Sequence, residues 1–344
     1  MKQKLYIFLT AMLAILSFSA CEHDIYIDPN EKDERLVMNG FIDADSTNNL
    51  IYLDMTGSKF ASHVIDAQME VHVNGVLKET VSNYNYTENA NSKDSLIHTN
   101  RYYIHTKFKA GDKVRIDALT SDKKYHAYVE ESIPYPLSEI QKVDTAHVVK
   151  KHYGDLMTKI WQFKISFSDR TNESNYYRLK VFNHIRTRIF DPYSGQWNIT
   201  KEIEKFRSIY DDEPILMDGN VNNDNDMSDY LPALYNTENN YGVFSDKMFA
   251  NKPCTLTIYD DLWFYEQPQD NVYYDISTLF SIESINKNEY YYLRALELYN
   301  SDNYSDDEDL TGPIKFPSNV KGGAGFVGFS ISVSKMVLLQ GLKQ

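Results

Sequence analysis

The sequence has 344 residues, with 49 acidic against 35 basic side chains, so its formal net charge at pH 7 is −14. A surface of this sign repels phosphate backbones and anionic lipid head groups, which excludes nucleic-acid binding from the expected functions. The chain is rich in aromatic residues, with 27 Tyr, 17 Phe and 3 Trp, and such side chains are enriched in β-strands.

The first 20 residues have the composition of an export signal. Lys2 and Lys4 precede an uncharged apolar run that extends from Leu5 to Phe18, and two small residues follow it. As a helix, about 14 residues rise only about 20 Å, which is too short for a hydrocarbon core of ~30 Å. This favours a cleaved signal peptide over residues 1–20 rather than a transmembrane helix.

Cys21 gives the leader a more specific interpretation. The sequence FSAC at 18–21 resembles the bacterial lipobox, in which the signal peptidase cuts before a cysteine that carries diacylglycerol, although Phe18 departs from the usual Leu. The alternative is an ordinary signal peptide with a chance cysteine. Several acyl chains would anchor Cys21 stably in a membrane. Lipidation leaves Cys254 alone, so the mature chain has no disulfide and depends on its packed core.

Residues 21–35 are polar and predict a tether between the lipid anchor and the folded part of the chain. Glu22 and Asp24 are acidic, and acidic residues often follow the lipidated cysteine of lipoproteins that Bacteroidetes-type bacteria export to their surface. We therefore expect an outer-membrane protein, held at the cell surface by the lipid on Cys21.

Residues 36–133 predict an immunoglobulin-like β-sandwich. Short segments of apolar and β-branched residues alternate with polar turn clusters, and no helical period is present. The strongest turn signal is Asn74-Gly75, because both residues accept the positive φ angles of a type I′ hairpin. The predicted strand segments are 36–42, 49–55, the hairpin 69–81, 101–108, 113–119 and 124–131.

Pro134-Tyr135-Pro136 predicts the boundary to a larger β-rich domain, sheet-like or barrel-like, at residues 137–344, because prolines stop helices and central strands. A helix is expected near 286–300, with Asn286 and Glu289 forming a capping box. The predicted fold is therefore mainly β with one C-terminal helix. Longer strands are predicted at 158–169, 175–190, 253–261, 272–285 and 325–339, and the first two are expected to form one hairpin.

Several segments of the mature chain carry a family resemblance. In chain order they are CEHDIYID, LVMNGFIDAD, SDRTNESNYYRL at 168–179, YDDEPILMDGN at 210–220, and the ending EYYYLRALELY with FPSNVKGGAGFVGFS. Together they resemble a family of Bacteroidetes lipoproteins known only as a domain of unknown function (number 4249). The resemblance implies a surface or periplasm-facing lipoprotein, often encoded beside TonB-dependent outer-membrane transporters. It implies a role in nutrient capture and supplies no site residues.

Two motifs have the spacing of ligand sites. Gly323, Gly325 and Gly328 fit G-x-G-x-x-G, but β-type residues follow where a dinucleotide site needs a helix, so we expect a bulged turn into the last strand. Residues 218–226 alternate oxygen donors as calcium loops do, without the Gly and Glu of an EF-hand, and the alternative is a solvated acidic turn. The candidate calcium ligands are Asp218, Asn220, Asn222, Asp224 and Asp226.

The sequence contains no complete catalytic motif, such as H-E-x-x-H or G-x-S-x-G, so we expect no enzyme and no cofactor besides that calcium. Aromatic residues lie beside loop residues at 191–197 and 260–270, where exposed rings can face a ligand, with buried edge aromatics as the alternative. The candidate ligand contacts are Tyr193, Trp197, Trp263, Phe264 and Tyr265.

Three functions stay open at the level of sequence. The leading hypothesis is a surface lipoprotein without catalysis that captures a nutrient or assists a TonB-dependent transporter, its expected partner. The second is a surface hydrolase of glycan or peptide, because paired catalytic carboxylates need no fixed spacing in sequence. The third is a calcium-dependent adhesin or structural module.

Overall fold

The computed structural model describes residues 34–57, 62–64, 66–82, 100–151, 157–207, 213–216, 239–260, 262, 270–300 and 314–341. Over these ranges the chain is mainly β, with curled sheets and one helix, as predicted. No helix in the described ranges is both long enough and apolar enough to cross a membrane.

The secondary structure elements have the following bounds. The first eight strands are β1 (Leu36–Asp43), β2 (Asn49–Met55), β3 (Ser62–His63), β4 (Ala67–Val73), β5 (Val76–Ser82), β6 (Arg101–Ile104), β7 (Lys113–Thr120) and β8 (His126–Ser132). The remaining strands are β9 (Ile140–Lys151), β10 (Met157–Ser168), β11 (Tyr176–Asp191), β12 (Gln196–Arg207), β13 (Val243–Ser245), β14 (Pro253–Asp260), β15 (Val272–Ile285), β16 (Val320–Lys321) and β17 (Ala324–Gln340). The helix is α1 (Lys287–Tyr299).

A nine-stranded sheet organises the fold. Its strands follow in the order β12-β11-β15-β17-β1-β2-β3, with β13 also paired to β11 and β6 to β2. Strands β1 and β17 run parallel in this sheet, from Val37 opposite Ala324 to Asp43 opposite Ser330. One hydrogen-bonded ladder therefore joins segments from near the two ends of the sequence.

Two smaller sheets pack on one face of the nine-stranded sheet. On β17, Val327, Phe329 and Ile331 belong to a first core, which the sheet β16-β8-β7-β4-β5 closes. Further along β17, Val333 and Val337 contact a second core, which the sheet β14-β10-β9 closes. All five residues are odd-numbered, so they lie on the same face of the strand. Strand β17 therefore contributes to both cores.

Helix α1 covers the opposite face, called the outer face below. The Tyr292 ring stacks on Phe326 of β17, with ring centroids 4.4 Å apart. The helix begins after Asn286 as predicted, but the predicted capping box is wrong. The Asn286 side chain donates to the carbonyl of Ser132 at 3.2 Å, and Glu289 is buried, because the helix face that carries it contacts the sheet.

The G-x-G-x-x-G segment permits close packing between strands. A Cβ atom on Gly323 would lie 2.4 Å from the carbonyl oxygen of Leu36, and one on Gly325 would lie 2.2 Å from that of Met38. Gly325 also has a φ of 100°, which side chains rarely adopt. These glycines therefore allow β17 to approach β1.

Most predicted strands are confirmed to within a few residues. The hairpin at Asn74-Gly75 is confirmed by φ angles of 52° and 79° between β4 and β5. The structure also has two long strands, β9 and β12, that the sequence reading did not predict. Both strands mix charged with apolar residues, as in KEIEKF, because much of their surface is exposed. Such segments lack the apolar run by which the other strands were predicted.

The hairpin expected from residues 158–169 and 175–190 is wrong. Strand β10 pairs with β9 and β14, whereas β11 pairs with β12, β13 and β15. The two strands lie in different sheets and face each other across the second core, where Phe163 and Phe167 of β10 pack with Tyr177 of β11. A short connection in sequence does not decide between pairing and face-to-face packing.

The division of the chain at Pro134-Tyr135-Pro136 stays a prediction. Ile133 is a residue of the first core and Leu137 is a residue of the second, so the two cores meet at this segment. Strand β17 supplies side chains to both of them.

We predict that Gly325→Ala lowers the free energy of unfolding by at least about 3 kcal/mol, because it adds a backbone clash to an unfavourable φ angle. Urea denaturation of the full chain measures this. Gly75→Ala is the matched control: its φ is also positive, but its Cβ meets no atom within 4 Å, so it should cost only about 1 kcal/mol. Equal losses in the two variants would contradict the close-packing role.

Candidate functional site

A polar groove lies on the solvent-facing side of the five-stranded sheet. It encloses about 670 Å³, which is within the range of small-molecule sites. Alternation along β4, β7 and β8 directs its side chains outward while their neighbours enter the first core. The residues that define the polar groove are Glu70, His72, Arg115, Asp117, His126 and Glu130.

Asp117 is the centre of the polar groove. It accepts hydrogen bonds from Arg115 Nη2 at 2.6 Å and Nε at 2.7 Å, and His126 Nε2 lies 2.9 Å from its Oδ1. Burial acts to raise the pKa of Asp117, but the bonds from Arg115 and His126 outweigh it and hold the pKa below its usual value. The Arg115 guanidinium also lies 3.8 Å from the centroid of the Tyr128 ring. The central charges therefore neutralise each other within the protein.

Metal binding has no support in the described part of the chain, where no group of three or more His, Cys, Asp or Glu side chains is placed to hold an ion. In the polar groove, His72 Nδ1 lies 3.8 Å from Asp117 Oδ2, and both carboxylate oxygens already accept from Arg115. The polar groove has the volume of a ligand site, and its central carboxylate is paired with Arg115 and His126, while His72 Nδ1 is buried without a hydrogen-bond partner among the described residues.

A cluster of rings lies on the outer face of the nine-stranded sheet, where β11, β12 and β15 meet. The Trp197 ring lies 5.3 Å from Phe190, its cross-strand neighbour, and 6.1 Å from Tyr273. Each of the three rings is half-buried. We call these three residues, together with Tyr193 in the β11–β12 turn, the aromatic end.

Hydrogen bonds within the β11–β12 turn order the backbone at Tyr193. The Asp191 carboxylate accepts from the Tyr193 backbone N–H at 2.9 Å and from the Ser194 hydroxyl at 2.7 Å. These bonds lower the pKa of Asp191, with the Ser194 bond as the largest cause. Gly195 supplies the positive φ of 68° that closes the turn. The Tyr193 side chain is fully exposed, so an ordered turn presents its ring to solvent.

Two ion pairs border the rings of the aromatic end. Arg188 Nε lies 2.6 Å from Asp275 Oδ2, and Arg186 Nε lies 2.7 Å from Glu202 Oε1. Arg188 is directly opposite Tyr273 in the ladder between β11 and β15. Planar hydrogen-bonding groups therefore lie next to the rings.

The structure places two of the five predicted ligand contacts, Tyr193 and Trp197, in the aromatic end. The segment 263–265, with Trp263, Phe264 and Tyr265, lies outside the described residues. Its flanking strands β14 and β15 are described, and the Phe190 N–H donates to the carbonyl of Asn271 at 2.9 Å, next to the start of β15. The predicted segments 191–197 and 260–270 therefore both adjoin this end of the nine-stranded sheet.

Sequence reasoning missed Phe190 and Tyr273. Both stand in strands with alternating patterns, in which Arg188 and Phe190 share one face of β11 and Tyr273 and Asp275 share one face of β15. That alternation was the sequence signal that could have indicated a shared face. The register that pairs β11 with β15 cannot be predicted from the sequence of either strand alone.

The remaining predicted site residues lie outside the described residues. They are the lipidation site Cys21 and the candidate calcium ligands Asp218, Asn220, Asn222, Asp224 and Asp226. Lipidation and calcium binding therefore stay predictions.

Cys254 is a buried residue of the second core. Burial raises the pKa of its thiol to about 12, and the nearby carboxylates of Glu213 and Asp169 raise it further. The thiol is therefore protonated at neutral pH, which is unfavourable for a nucleophile.

Charged side chains are buried between α1 and the outer face of the sheet. Glu283 pairs with Lys180, and Glu289 lies beneath the helix, where its Oε2 would be 2.6 Å from a Cβ on Gly328. Burial raises the pKa of Glu289 to about 8, the charge of Glu283 raises it further, and Arg178 and Lys180 act in the opposite direction. Because this carboxyl group is buried between the helix and the sheet, we interpret it as part of the scaffold.

The segment 168–179 also serves the scaffold. Asp169 Oδ1 accepts from the Tyr177 hydroxyl at 2.8 Å and from Asn175 Nδ2 at 3.2 Å. The Asn175 N–H donates to Asp246 Oδ2 at 2.7 Å. These buried side chains satisfy one another and tie the β10–β11 loop to the loop after β13.

The fold defines a mainly β-sheet protein built on one large sheet with two cores on a single face. Residues 22–336 match the family described as "Domain of unknown function (DUF4249)", and the chain therefore belongs to this family. Comparison with curated proteins finds no match.

We predict that Glu289→Gln flattens the pH dependence of stability between about pH 4.5 and 8. The folded-state pKa of about 8 exceeds the value of 4.5 for an unperturbed Glu, so the folded chain holds a proton that the unfolded chain releases. The stabilisation is complete below pH 4.5 and is lost as the pH rises through 8.

Urea denaturation across this pH range measures the effect, and at pH 8 the variant should be more stable than the parent. Glu130→Gln, at a half-exposed site, is the control that should leave the slope unchanged. If the free energy of unfolding of Glu289→Gln changed with pH as steeply as that of the parent, Glu289 would be ionised in the folded chain.

Proposed function

We propose that this protein is a lipoprotein of the outer membrane, anchored at the cell surface by lipid on Cys21. It assists nutrient capture together with a TonB-dependent transporter and catalyses no reaction itself. The observation that carries the proposal is the leader, in which an export signal of residues 1–20 ends in the lipobox-like sequence FSAC.

The domain organisation is part of the proposal. Residues 36–133 form an immunoglobulin-like sandwich that acts as a spacer, and residues 137–344 form the larger β-rich domain that carries the aromatic end. Side chains of β4, β7 and β8 face those of β1, β2 and β6 across the first core, which supports the sandwich.

Lipidation is tested by expressing the full chain in a bacterium supplied with radiolabelled palmitate. We expect the parent to carry the label and to partition into a detergent phase, because several acyl chains give stable anchoring. Cys21→Ser should lose at least about nine-tenths of the label, since it removes the acylated atom. Cys254→Ser is the control and should keep the label. Label retained by Cys21→Ser would contradict lipidation at this position.

The transporter role is tested by cross-linking a tagged full chain in the membranes of its own host and identifying the captured proteins. A TonB-dependent transporter should be recovered with the parent and depleted with Cys21→Ser. Its repeated absence under conditions in which both proteins are expressed would overturn the proposed partner. Turnover of a polysaccharide or peptide by the purified chain would overturn the proposed lack of catalysis.

A further inference from the structure

We propose that the aromatic end binds uncharged oligosaccharide, with the rings of Trp197 and Tyr193 packed against sugar faces. The inference rests on the proposed capture function for its biological meaning and names the ligand class of that function. Its physical basis is the combination of solvent-accessible rings, bordering planar polar groups and negative charge that repels acidic ligands, at one end of the nine-stranded sheet.

The rings supply the apolar part of the site. The face of an aromatic ring carries partial negative charge and attracts the weakly positive C–H groups on one side of a pyranose. Trp197 is steadied by Phe190 at 5.3 Å and Tyr273 at 6.1 Å, and Asp191 orders the turn that carries Tyr193. Little freedom of the Trp197 side chain and of the Tyr193 backbone is then lost on binding.

The ion pairs supply the polar part of the site. The Arg188 guanidinium and the Asp275 carboxylate are 21% and 15% exposed, so each keeps some contact with solvent beside the rings. Arg offers several N–H donors, and a carboxylate accepts from hydroxyl groups. Sugar hydroxyl groups require donors and acceptors of this kind around a stacking surface.

The charge of the region selects an uncharged ligand. Arg188 pairs with Asp275 and Arg186 pairs with Glu202, and the Asp191 carboxylate adds a negative charge in the turn that carries Tyr193. The whole chain carries a formal charge of −14, which repels acidic polysaccharide at long range. A neutral oligosaccharide meets neither a repulsive field nor an uncompensated buried charge.

The size of the surface argues against a protein partner at this place. An aromatic side chain has roughly 150–250 Å² of surface, and three of the four rings are half-buried, so the four present no more than about 500 Å². A stable protein interface needs about 800 Å² on each partner. The available area matches one or two sugar rings.

The experiment is titration calorimetry of the full chain, purified in detergent, against a panel of neutral hexasaccharides of glucose, mannose, galactose and xylose. An oligogalacturonate of the same length is the acidic comparison. We expect binding of at least one neutral hexasaccharide and no binding of the acidic one. Trp197→Ala and Tyr193→Ala should each weaken the binding at least about tenfold.

Tyr52→Ala is the matched control, because Tyr52 is an exposed ring on β2 that lies outside the aromatic end. The affinity of this variant for the sugar should equal that of the parent. Tyr193 is fully exposed, so Tyr193→Ala decides the question even where Trp197→Ala disturbs the fold. Lack of binding to every neutral sugar in the panel, or binding that both variants retain, would overturn the inference. So would binding of the aromatic end to vesicles of phosphatidylethanolamine in place of sugar.

The two proposals fail in different ways. Lipid labelling and transporter recovery without sugar binding would leave the capture function standing and remove this ligand class. Sugar binding that is lost in Trp197→Ala, from a chain that carries no lipid, would remove the proposed anchoring and leave the site standing.

Discussion

The parallel ladder between β1 and β17 is the constraint on which the rest of the structure depends. It joins segments far apart in sequence, as the bond from the Phe326 N–H to Asn39 Oδ1 at 3.1 Å spans 287 positions. Closing so long a loop costs conformational entropy, which only the burial that follows can offset. Strand β17 then supplies side chains to both cores on one face and contacts α1 on the other. Its glycines are needed because β1 and α1 approach it so closely.

Buried polar side chains are the second feature that holds the fold, because they replace regular hydrogen bonding at the loops. Asn175 and Asp169 do this between β10 and β11. Before β17, the Asn319 side-chain amide donates to the Val327 carbonyl and accepts from the Val327 N–H. These residues belong to the segments that carry the family resemblance. In this chain these segments therefore contribute to the scaffold.

The two candidate surfaces differ in how their side chains are arranged. In the polar groove, the Asp117 carboxylate is paired with Arg115 and His126 on the outer surface of the five-stranded sheet. At the aromatic end, half-buried rings lie beside two ion pairs, and the turn carries the exposed Tyr193. The aromatic end therefore combines apolar and polar groups on one surface.

The sequence by itself determined the class of fold and several local elements, and it carries the prediction of lipidation at Cys21. The mainly β pattern, the Asn74-Gly75 hairpin and the position of α1 depend on neighbouring residues, so local physics determines them. Only the tertiary structure decided which strands pair, because pairing depends on residues distant in the chain. It separated β10 from β11, placed Glu289 beneath the helix instead of at its cap, and brought Tyr273 to Trp197. For the same reason the sequence predicted only part of the aromatic end. Tyr193 and Trp197 lie in or beside one local turn, whereas the contact with Tyr273 depends on the register between strands.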